Sequence, residues 1–144
     1  MDCPFQALIR PEFQEGKTMR RRLSILRFLV VESGAALFVL GLLFWNGRAL
    51  NLVPVHMMLV GVLVLCLWVI AAIGLRSGIP TGFVSLVLLW SLIMPLLGVL
   101  QNSLVPGSWH WTVPVVHLLV GIAAIGLGQG MLRRIAVARQ GGMT

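Results

Sequence analysis

Tyrosine is absent from this 144-residue chain, only 10% of its residues are charged, and its acidic residues number four. Asp2, Glu12 and Glu15 lie close to the N-terminus, so Glu32 is the one acid in all that follows. Hydrolytic acid–base catalysis, which needs a carboxylate pair or a carboxylate beside a base, has almost no material to work with. The two cysteines, Cys3 and Cys66, exclude a disulfide framework and a Cys-x-x-Cys metal or redox motif. A Gly-rich phosphate loop, a nucleophile elbow and a zinc-protease motif are all missing, as are myristoylation and prenylation signals.

What the chain does contain is apolar: 58% of it is hydrophobic, in long runs that a water-soluble domain does not carry. Four runs, residues 28–45, 55–75, 83–100 and 115–132, reach or approach the length a helix needs to cross the hydrocarbon of a bilayer. The expected fold is therefore an all-α integral membrane protein with four transmembrane helices. Short connections favour an up-down-up-down bundle. A basic tail over 1–22, partly helical and lying along anionic headgroups, should precede a transmembrane domain over 23–135, with a C-terminal tail over 136–144.

The formal charge of +7 is placed as a membrane protein places it, and no aromatic basic patch points to nucleic acid. Arg10, Lys17, Arg20, Arg21, Arg22 and Arg27 precede the first span, Arg76 follows the second, and Arg133, Arg134 and Arg139 follow the fourth. Only Arg48 falls on the other side. The positive-inside rule then puts both termini in the cytoplasm of a cell whose inner (plasma) membrane holds the protein. The N-terminal region is too polar for a cleaved signal peptide, so the first span should stay as an anchor.

Inside this apolar background three histidines stand out. "VPVHMMLVG" over 53–61 is nearly repeated by "VPVVHLLVG" over 113–121, so His56 and His117 each follow a first-turn proline at the same side of the membrane. His110 lies on the connection before the fourth span, between Trp109 and Trp111, which suit the outer headgroup level. If the second and fourth helices face each other diagonally, their axes stand roughly 11–14 Å apart, room for two imidazoles and an iron. A b-type haem with His56 and His117 as axial ligands is the leading expectation, with His110 a nearby alternative. Gly61 and Gly121 would leave space for the macrocycle, and Arg48 could pair with a propionate. The arrangement of histidines on alternate spans resembles small membrane b cytochromes in architecture, a likeness that carries no residue over.

Other readings use the same residues differently. Histidines at a helix start can simply hydrogen-bond to water or headgroups. The three together, with Met57 or Met58, could instead hold copper, or zinc with an open position. Near the cytoplasmic side Glu32, Ser85 and Gln129 share a level, as either an interhelical polar lock or a proton site. A single acid in the first span is also what a small proton-coupled exporter uses, although too few polar groups are present to line a pathway in a monomer. A cofactor-free accessory subunit or assembly factor is the remaining class: the small residues of the fourth span, Ala124 and Gly128 or Gly126 and Gly130, allow close helix packing and make that helix central. Beyond lipid, a second membrane protein or redox subunit is the expected partner, because one haem near one face cannot carry electrons across the bilayer.

Overall fold

The computed structural model describes residues 4–101 and 103–141, with the side chains of 16–101 and 103–140. Cys3 and residues 142–144 lie outside the described residues. The elements in order are α1 (Pro4–Trp45), one turn of 3-10 helix (Leu50–Leu52), α2 (Val53–Arg76), α3 (Thr81–Leu100) and α4 (Thr112–Gly141). All four long helices contain a segment long and apolar enough to cross a membrane: Gly16–Trp45, Leu50–Arg76, Thr81–Leu100 and Thr112–Gln140. At 1.5 Å per residue even α3, the shortest, covers about 30 Å, the thickness of the hydrocarbon core.

Local chemistry sets the ends. α1 stops where Gly47 takes φ 67°, which lets Arg48 N–H reach back to the Leu43 carbonyl at 2.8 Å. α2 stops the same way: Gly78 has φ 73°, and Ile79 N–H donates to the Gly74 carbonyl at 3.1 Å. Glycine suits both positions because the left-handed conformation costs it nothing. Pro54 occupies the first turn of α2, where its missing N–H is not needed. The basic N-terminal segment is not a separate element, since from Pro4 it continues without a break into the first span.

α1 packs against α2 and α4, and α3 packs against the same two helices. α2 and α4 also touch each other, so they form the short diagonal of the bundle, while α1 and α3 stand at its far corners. The core runs along that diagonal: Leu63, Leu67 and Ile70 of α2 and Met131 and Ile135 of α4 are fully buried, with Val30 of α1 and Val84 and Val87 of α3 closing the sides. The expected central role of α4 is shared, and α2 is the more deeply buried of the pair. The small-residue stripe of α4 is also narrower than its composition suggests. Ala124 and Gly128 are buried, whereas Gly126 is exposed with open space where a Cβ would be.

Two tryptophans and a serine supply the polar contacts of the interior. Trp68 Nε1 donates to Ser91 Oγ at 2.9 Å, the Ser91 hydroxyl donates to the Leu88 carbonyl at 2.7 Å, and Trp90 Nε1 donates to the Val120 carbonyl at 2.9 Å. Ser91 is completely buried. Ser91→Ala leaves the Trp68 indole without its acceptor in an apolar setting, and is expected to lower stability by about 1 kcal/mol in an unfolding titration with sodium dodecyl sulfate. A loss within experimental scatter would show that the α2–α3 tie carries no weight.

A candidate cofactor cavity lined by three histidines

The buried core occupies one half of the bundle. In the other half, where the 46–52 and 101–111 connections meet, all four helices draw back around a cavity of about 420 Å³. Such a space holds water, lipid or a ligand, and its volume is that of a site for a sizeable organic molecule.

His56 from α2, His117 from α4 and His110 from the last connection all line it. His56 is half-buried one turn into α2, with the Phe44 ring tilted against it at a centroid distance of 5.4 Å. His117 is also half-buried and leans on the backbone of α3: a Cβ added at Gly98 would lie 3.1 Å from its Cε1. Each of the two imidazoles has a buried Nδ1 without a hydrogen-bond partner. A buried ring nitrogen left unsatisfied is uncommon, and both of these histidines have one.

His110 differs in having a partner, because its Nδ1 lies 3.1 Å from the Leu104 carbonyl. With the proton on Nδ1 that contact is a hydrogen bond, and Nε2 keeps its lone pair for a ligand, as imidazoles at metal and haem sites are held. The turn that presents Leu104 includes Val105 at φ 47° and Gly107 at φ 102°.

Several expected site residues sit elsewhere. Gly61 is exposed, with nothing within 4 Å of where its Cβ would be. It follows His56 by five residues and so lies about 140° around the helix from it. Gly121 follows His117 by only four, about 40° around, and lines a smaller apolar pocket that adjoins the cavity and shares His56 with it. The one-residue offset between the two sequence repeats therefore separates the glycines, not the histidines. Arg48 is exposed and is not part of the cavity lining, which includes no lysine or arginine among the described residues. Trp109, Trp111 and Met58 are exposed as well, although Met57 does border the cavity. Among the described residues no group of three His, Cys, Asp or Glu side chains could hold a metal ion. The three histidines share a cavity without closing on one point.

The second expected cluster does not form. Glu32 and Ser85 are exposed, and only Gln129 is half-buried, its Nε2 buried without a partner. The cause is the rotation of α1: Val30, Ser33 and Gly34 are the buried positions, and Glu32 lies about 100° from Ser33 and 200° from Val30 and Gly34. The buried polar group of α1 is Ser33, whose hydroxyl donates to its own Leu29 carbonyl at 2.6 Å.

Gly98, Gln101 and Phe44 complete the cavity wall and were invisible in the sequence. Pro95 was the one available signal, because it borders the cavity and Gly98 follows it by one turn of α3. Comparisons with protein-family models, with curated proteins and with solved structures each return no match for this chain.

Proposed function

We propose that the chain is a small multi-pass protein of the inner membrane, its four spans running up-down-up-down with both termini cytoplasmic, that binds a b-type haem in the histidine cavity. The observation that carries this reading is the meeting of His56, His117 and His110 on one cavity of about 420 Å³, with both span histidines holding an unsatisfied Nδ1. A large flat cofactor fits donors that ring a cavity better than a bare copper or zinc ion, which needs several donors converging on one point. His56 and His117 would hold the iron through their imidazoles, and His110 or Gln101 would offer a polar contact to the cofactor. Haem brings one-electron chemistry. This chain's contribution is a shaped site and two imidazoles held on opposite helices. With no acid among the described residues that line the cavity, the role is electron transfer or haem sensing inside a larger membrane assembly.

The test is a reduced-minus-oxidised visible spectrum of the detergent-purified protein, expressed with haem supplied, beside His56→Ala and His117→Ala. A sharp low-spin b-type spectrum that either substitution abolishes is expected, while His110→Ala keeps the low-spin bands. A wild-type protein that is fully helical and colourless under these conditions would overturn the reading. In that case a cofactor-free accessory subunit becomes the better account.

A further inference from the structure

The small apolar pocket beside the histidine cavity has a definite shape. It is a crevice between α1 and α4: Phe38 and Ile122, both exposed, stand at its outer lip, while Val60, Leu63 and Met94 form a buried floor. His56 and Val60 also line the large cavity, so the two spaces meet there. Leu63 lies seven residues beyond His56 on α2, so the crevice runs roughly 10 Å from that junction toward the middle of the span. At its deep end the gap between α1 and α4 is shut. Ile125 packs on Gly34, where a Cβ would lie only 2.8 Å from the Ile125 Cγ1.

The dimensions and the lining together select a kind of occupant. At about 50 Å³, against about 420 Å³ for the cavity, the crevice is too narrow for a macrocycle. His56 is its one polar side chain, and a buried water needs two or more polar partners, so the crevice suits hydrocarbon. Gly121 keeps it open, since nothing lies within 4 Å of where its Cβ would be. A slot that begins at a ring-sized cavity and ends blind inside the bundle takes a chain attached to the ring. We propose that the crevice between α1 and α4 holds an isoprenoid chain carried by the haem, so that the site takes a prenylated haem in preference to haem b. The inference rests on the haem reading and adds to it the chain.

The experiment titrates the full-length apoprotein in detergent, and again in phosphatidylcholine vesicles, with haem b and with a haem that bears a farnesyl side chain in place of one vinyl group. The Soret band reports binding. The farnesylated haem is expected to bind about tenfold more tightly, a modest gain because detergent and lipid already solvate the chain. Gly121→Phe, which fills the crevice with a ring, should bring the two affinities together. Excess farnesol should do the same in the wild-type protein, a measurement that does not depend on the variant folding. Equal affinities in the wild type, or an advantage that survives both treatments, would overturn the proposal. An advantage seen in detergent but lost in vesicles would overturn it as well, by assigning the crevice to an acyl chain of the bilayer. Failure of either haem to give low-spin bands would instead remove the haem reading, and this inference with it.

Discussion

Gly98→Leu is expected to abolish the haem binding proposed for the histidine cavity while leaving the four-helix fold standing. A Cβ alone at this position would sit 3.1 Å from Cε1 of His117 and 3.7 Å from its Nε2. The three further carbons of leucine can only extend into the cavity, so the imidazole must turn away or the ligand must leave. Overpacking of this kind costs about 1–3 kcal/mol, and at the upper end cofactor affinity falls roughly a hundredfold. The fold should survive because Gly98 lies at the hollow end, away from Leu67, Ile70 and Met131, and because leucine is the better helix former by up to about 1 kcal/mol. Titration of haem into the apoprotein, paired with thermal unfolding, separates the two effects. Gly61→Leu is the control, since that glycine faces outward with open space around it. Wild-type haem affinity in Gly98→Leu would mean that the ligand does not sit against His117.

The contrast between Gly98 and Gly61 shows which parts of this protein can be read from its sequence. Each predicted span, 28–45, 55–75, 83–100 and 115–132, falls inside an observed helix, because a long apolar run in a bilayer has one way to satisfy its backbone. Helix ends are less legible: α1 begins at Pro4 and α4 continues to Gly141, well outside the apolar runs, since a helix need not stop where the membrane does. Helix faces are the least legible. A soluble helix marks its inner face by hydrophobicity, but lipid is as apolar as the bundle interior and removes that mark. Glu32 was therefore expected to face inward with Ser85 and Gln129, and Gly61 to face the cavity with Gly121, whereas Glu32, Ser85 and Gly61 are exposed. The histidines stood out because so little else in the spans is ionisable, but which face each one presents was as open as for any other residue. Gly98 carries no signal at all, for a glycine that makes room for a ring reads like any other glycine.

Gly128→Leu is expected to produce the largest loss of stability of any substitution considered, because it attacks a place where three helices converge without space to spare. A Cβ at Gly128 would lie 2.8 Å from Leu67 Cδ2 and 3.5 Å from Val30 Cγ1. Both neighbours are already sealed, at 1% and 0% exposure, so neither side chain can move aside without displacing its helix. The penalty should reach or exceed about 3 kcal/mol, the top of the range for overpacked cores. It should appear as a collapse of the unfolding midpoint in sodium dodecyl sulfate. Gly126→Leu, two residues earlier on the exposed side, removes the same helix-breaking residue without meeting anything and should be neutral or stabilising by up to about 1 kcal/mol. Gly74→Ala falls between them: its Cβ would lie 2.9 Å from the Met131 sulfur, but a thioether can swing away at small cost. The order Gly128, then Gly74, then Gly126 thus follows from what each added carbon meets, and not from loss of glycine as such. Equal effects at Gly128 and Gly126 would show that α2 and α4 do not form the short diagonal.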